Sequence, residues 1–166
     1  MTSLYDLTVP AFRRGFAGLS IILTAGEKYA RDHGIAEADM LDTRLVDDMA
    51  PLTAQVQRAS DTAKGAMVRI GGIPNLAMAD DEASFATLQQ RIAATLAFLD
   101  TVPRAAIDGK EDAPVTLVTS GGSVDFTGRS YVLGFVLPNF YFHITTAYAL
   151  LRMRGVPIGK MDYLGR

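Results

Sequence analysis

The stretch YVLGFVLPNFYFHITTAYALL, residues 131 to 151, contains no charged side chain, yet it carries Pro138, Asn139 and His143 at its middle. About 20 apolar residues is the length a bilayer requires, and Arg129 and Arg152 flank the run. Asn139, His143, Thr145 and Thr146 argue against a span, because polar groups cost free energy in hydrocarbon unless they find partners. No second comparable run exists, and the other helical stretches are amphipathic, each with an apolar stripe that needs a partner helix. The run therefore reads as the most buried helix of a soluble core, with no membrane partner.

A chain of 166 residues suits one domain, residues 1–166, able to bury roughly two thirds of its unfolded surface without staples. The 16 basic and 18 acidic residues are evenly spread and sum to −2, so no basic stripe offers itself to phosphates and no nucleic-acid partner is expected. The absence of cysteine excludes disulfides, thiolate nucleophiles and cysteine-ligated metal. With an N-terminus that lacks a basic and then apolar leader, this fits a cytoplasmic protein.

Helical spacing runs from Leu4 to about Tyr29, with Pro10 either bending the helix or separating its first turn, and Gly34 placed to cap its end. His33, in the last turn, suits the helix dipole and reads as a solvated helix-end histidine. A short helix around Glu37 to Leu41 leads to a second long helix from Pro51 to Gly71, with Leu52, Val56, Ala59, Ala63, Met67 and Ile70 inward. Asp80, Asp81 and Glu82 favour the N-terminus of a third helix that buries Phe85, Leu88, Ile92, Leu96 and Leu99 and stops before Pro103. Between Val115 and Thr127 the period changes to that of a hairpin turning through Ser120-Gly121-Gly122-Ser123, with Leu117, Val124 or Phe126 against the helices. The fourth helix opens near Arg129 and closes at Arg152, Arg154 and Gly155, roughly 39 Å at 1.5 Å per residue, and the tail after Gly155 packs back. The expected fold is all-α, a four-helix bundle with a small hairpin inserted between helices three and four.

Asn139 and His143, four residues apart, share one face of the fourth helix with Val132, Val136, Phe140 and Ala147, and that face points inward. This is the spacing by which a helix presents two metal ligands, but an amide oxygen suits hard cations better than zinc or nickel. On the second helix Gln55 is the inward polar candidate, Ser60 and Thr62 flank the stripe, and Asp61 falls on the opposite side. A buried hydrogen-bonded set of Asn139, His143 and Gln55, which also satisfies the carbonyls freed by Pro138, competes with a metal site. Leu133, Leu137, Tyr141 and Tyr148, on the other face, leave an exposed apolar surface that predicts a homodimer. The glycine pairs 71–72 and 121–122 lack a phosphate-loop pattern, and no nucleophile elbow accompanies the two histidines.

The strings LYDLTVPAFRRG, AKGAMVRIGG, FTGRSY and PNFYFHITTAYALLRMRGVPIGKMDYLG resemble the domain-of-unknown-function family numbered nineteen ninety-three over essentially the whole chain. That family resembles in turn the DinB and YfiT-like four-helix bundles. The resemblance implies a divalent metal held by one histidine on helix two and an HxxxH pair on the last helix, in relatives that include thiol-dependent transferases or hydrolases. Carried onto this chain, His143 keeps a ligand type, Asn139 stands at the first position of the pair, and helix two offers Gln55 or Gln57 in place of histidine. Two functions follow as expectations. One is a degenerate DinB-like site that binds a small molecule or serves as an interaction module. The other is an enzyme using His143 as general base or residual zinc or nickel ligand, with Asn139 and Gln55 orienting the substrate.

Overall fold

The computed structural model describes residues 2–165. In chain order it contains α1 (Leu4–Asp32), α2 (Glu37–Leu41), α3 (Leu52–Gly71), α4 (Phe85–Thr101), α5 (Arg104–Ile107), β1 (Pro114–Thr119), β2 (Gly122–Thr127), α6 (Gly128–Tyr131), a π turn (Val132–Val136), α7 (Leu137–Met153) and α8 (Lys160–Tyr163). α1, α3, α4 and the continuous run from α6 through α7 are the four helices of the bundle. No helix is long and apolar enough to cross a membrane among the described residues.

Pro10 neither divides nor ends α1, which starts at the Ser3 cap and runs unbroken to Asp32. Pro138 leaves a clearer mark. A proline has no N–H for the carbonyl four residues back, and its ring presses on that carbonyl. Just ahead of it the backbone widens into a π turn, and the Leu137 N–H bonds to the Val132 carbonyl five residues earlier. Such a widened turn inserts one residue and re-aims the helix face that follows.

The most buried helix is α3, and not the uncharged one. It buries eleven of its 20 residues, among them Gln55, Ser60, Thr62 and Lys64, whereas α7 buries seven of 17 and exposes Tyr141 and Phe142. The polar side chains of α3 tolerate this because each has a partner. Ser60 and Thr95 share a hydrogen bond of 2.7 Å, and Lys64 Nζ donates to the Leu76 carbonyl at 3.0 Å.

The third helix begins later than its acidic run suggests. Ser84 and Thr87 form a capping box that starts α4 at Phe85. Asp80 and Glu82 instead meet Arg91, which is 4% exposed and also binds Asp61 and the Ala79 carbonyl. Burial alone would raise the Glu82 carboxyl, but hydrogen bonds from Arg91 and Gln57 outweigh it and hold Glu82 below its ordinary range. This cluster straps the segment 73–83 across α3 and α4.

In the hairpin, Thr119 pairs with Gly122 around a two-residue turn, and Gly122 takes a φ of 124°. Val115 and Leu117 are buried, Phe126 lies on Tyr131 at 5.5 Å, and Val124 is exposed, so the sheet docks through β1 and Phe126. The tail packs back as expected: Val156 and Ile158 enter the core and α8 lies along α1. Tyr163 covers Tyr148 edge to face and bonds to Thr145. Tyr148 is consequently half-buried, Leu137 is half-buried against the core as well, and of the expected outer face Leu133 and Tyr141 remain exposed.

Two glycines of α1 allow this close packing. A Cβ on Gly15 would overlap the Phe140 ring, and one on Gly18 would overlap the Tyr163 carbonyl oxygen. Backbone cannot yield as a side chain can, so Gly18→Ala is expected to lower stability by about 1–3 kcal/mol through displacement of α8. Gly134 faces open space, and Gly134→Ala is expected to match or exceed the wild type. Urea denaturation of both variants is the measurement.

Candidate functional site

Two helical stripes face each other across a cleft of about 260 Å³. α3 contributes Arg58, Thr62 and Arg69, and the other helix contributes Phe135, Asn139 and His143, with Leu117 of β1 closing one side. Phe135, Asn139 and His143 are four apart, and Arg58, Thr62 and Arg69 follow at intervals of four and seven, so each set lies on one face of its helix. Asp61 also lines the cleft, so the expectation that it points away from the site is corrected. Its carboxylate is occupied by Arg91 at 2.9 Å and Lys64 at 3.1 Å.

Within this frame Gln55 and His143 meet, with the Gln55 Oε1 2.8 Å from His143 Nδ1. The Gln55 Nε2 donates to the Ala50 carbonyl at 2.8 Å, which fixes the amide with its oxygen toward the ring. His143 Nδ1 must then carry the proton and donate, leaving the lone pair on Nε2. That second nitrogen has no hydrogen-bond partner among the described residues, and the histidine lines the cleft. Gln57 turns the other way and donates to Glu82 at 2.7 Å, so Gln55 is the helix-two residue that faces His143.

Asn139 does not join that pair. Its Nδ2 donates to Thr62 Oγ1 at 2.7 Å, and Thr62 in turn donates to the Arg58 carbonyl. The single network expected for Asn139, His143 and Gln55 is thus two separate bridges from α7 to α3. Neither serves the carbonyls that Pro138 frees, which the π turn rearranges instead.

The donor set does not fit the divalent metal implied by the resemblance to DinB-like bundles. Gln55 spends its oxygen on the histidine, Asn139 is a neutral amide, and the one available imidazole nitrogen lies close enough to Arg58 to feel its charge. No group of three His, Cys, Asp or Glu side chains able to hold a metal occurs among the described residues.

Arg58, Arg69, Leu117 and Phe135 belong to the site but were not foreseen. The signal for the arginines was present: Arg58, Thr62, Gly65 and Arg69 follow a 4-3-4 spacing that defines one helix face. The cleft wall from the hairpin had none, because nothing local says where a hairpin docks.

Burial first, and then the Arg58 charge, push His143 down from 6.5 to about 4. Between those values the unfolded imidazole takes up a proton that the folded one refuses. The stabilisation is therefore complete above pH 6.5 and is lost as the pH falls towards 4, at up to about 1.4 kcal/mol per pH unit. His143→Gln, which keeps a donor toward Gln55, is expected to flatten this slope in denaturation curves taken between pH 7 and 4.

A crystal structure of a DinB family member protein from Shewanella denitrificans is similar to this chain, with a TM-score of 0.87 and 36% identity over 98% of this chain and 92% of that one. No curated protein matches. The family model described as Domain of unknown function (DUF1993) matches residues 4–164, and the chain belongs to that family.

Proposed function

We propose that this protein is a DinB-like bundle that binds a small molecule in the cleft between α3 and α7 without a metal. The observation that carries this reading is the Gln55–His143 bond, which leaves the Nε2 lone pair without a partner among the described residues on a histidine that lines the cleft. A neutral imidazole held in one tautomer accepts a hydrogen bond from a ligand O–H or N–H. Its low basicity favours binding over proton abstraction, since a general base works best with a pKa near the working pH. The second reading, a transferase or hydrolase with His143 as general base, draws on the same Gln55 bond, which supplies the orienting partner that a catalytic histidine needs. A cysteine-free composition suits the cytoplasm as its compartment.

The exposed Leu133, Tyr141 and Phe142, with Leu45 beside the last two, supply the apolar surface for a homodimer. Analytical ultracentrifugation of wild type and Tyr141→Lys/Phe142→Lys is expected to show a dimer that the substitutions dissociate. A wild-type monomer at tens of micromolar refutes that part.

For the cleft, nitrogen-15 spectra of the histidine ring are expected to show the Nδ1–H tautomer in the wild type and a mixture in Gln55→Leu. Titrating a panel of small polar metabolites should shift the His143 Nε2 signal for at least one of them, and Asn139→Leu should weaken that response. An Nε2–H tautomer in the wild type, or a signal that no compound moves, overturns the reading.

A further inference from the structure

Arg69 occupies a prepared position. A Cβ at residue 65 would overlap its Nη1, so the guanidinium lies back along α3 in the space that Gly65 leaves open. A glycine inside a helix costs about 1 kcal/mol relative to alanine, and here its missing side chain admits a charge. Nη1 also donates to the Tyr131 hydroxyl at 3.1 Å, and Tyr131 is 1% exposed. Burial raises the Tyr131 phenol above its ordinary value more than Arg69 lowers it, so the hydroxyl stays neutral. The guanidinium is thus held by a neutral partner. Neither Arg69 nor Arg58 has a carboxylate partner among the described residues, whereas the one acid in the cleft, Asp61, is bound by Arg91 and Lys64. Two solvent-exposed arginines without a carboxylate partner, a neutral acceptor and an apolar wall of Leu117 and Phe135 line this space, and Arg69 and Asp61 also border a neighbouring cleft with Lys64 and Gly65.

Resting on the small-molecule reading above, we infer that the cleft ligand is a small organic carboxylate with an apolar body and a hydroxyl or N–H donor. Its carboxylate meets the Arg69 guanidinium, aided by the Arg58 charge, because a guanidinium fork matches a carboxylate in shape and sign. Its body lies on Phe135 and Leu117, and its donor reaches His143 Nε2. The volume of about 260 Å³ is below the roughly 300–1,000 Å³ of pockets for drug-sized ligands, so one ring or a short chain is the fitting size. Gly65 and Tyr131 are positioning residues that hold Arg69 in place.

Titrations of 4-hydroxybenzoate, its neutral analogue 4-hydroxybenzamide, benzoate and inorganic phosphate, followed through the His143 ring nitrogens and by calorimetry, test this. The hydroxy acid is expected to bind about tenfold more tightly than either the amide or benzoate, and phosphate more weakly still. Arg69→Gln should erase the preference for acid over amide, and the exposed Arg58→Gln should reduce it. Gly65→Ala should weaken the acid while leaving the amide unchanged, with near-native melting confirming the fold. Equal binding of acid and amide, a preference that survives Arg69→Gln in a folded variant, or phosphate binding as well as the acid overturns the carboxylate assignment while the binding cleft stands. If none of the four probes moves the His143 signal, the assignment fails; the cleft itself falls only if the wider metabolite panel also leaves that signal unmoved.

Discussion

The constraint on which the structure depends is the burial of α3. A helix packed between α4 and α7, with α2, α5 and β1 also against it, cannot turn its polar residues to water, and an unpaired buried polar group costs on the order of 1–3 kcal/mol. Each such residue is therefore a point at which a neighbouring element is pinned. Ser60 holds Thr95 of α4, Thr62 receives Asn139 of α7, Gln55 receives His143, and Lys64 reaches the Leu76 carbonyl. Apolar packing determines that these helices associate, and the hydrogen bonds determine their rotation and register, because hydrogen bonds are directional and apolar contact is not.

That register makes the cleft. Both bridges from α7 to α3 originate beyond the π turn, so the backbone change that accommodates Pro138 lies immediately before the residues it aims. The same helix meets α1 on its other side, where Phe140 contacts Phe12 and Phe16 edge to face at 4.9 and 5.2 Å across the gap left by Gly15. α7 is clamped by aromatic packing on one face and by polar bridges on the other. A site built between two such helices is held more firmly than one carried on loops.

Much of this was legible in the residues, and the failures have common causes. Helical periodicity and turn chemistry located every long helix and the hairpin, since both follow from local geometry. The acidic run at 80–82 was read as a helix start because carboxylates favour N-termini, but a buried arginine competes for the same charges and Ser84 caps better. The π turn has no residue signature beyond Pro138. The ranking of burial misled most: absence of charge marked α7 as central, whereas α3 is central with its polar groups paired. Composition reports which groups need partners, and only the tertiary arrangement reports which have found them. The choice between Gln55 and Gln57 had the same origin. Two positions about 200° apart on a helix point to opposite neighbours, and the stripe between them did not say which neighbour was α7.

The resemblance to DinB-like bundles implies a three-histidine site, and the amides found around His143 are consistent with a different one. With imidazole at the three positions, a cation would be the natural occupant, and a nearby arginine would oppose it. With amides at two of them, Gln55 becomes a tautomer lock and Asn139 a bridge, so His143 is left as a neutral acceptor. The Arg58 charge then reinforces that neutrality by disfavouring imidazolium. Arg69, which is exposed to water, adds a second positive charge beside it. Under the proposed reading, the amides of Gln55 and Asn139 and the two arginines favour the same occupant, one that brings negative charge to the cleft and a hydrogen-bond donor to the ring.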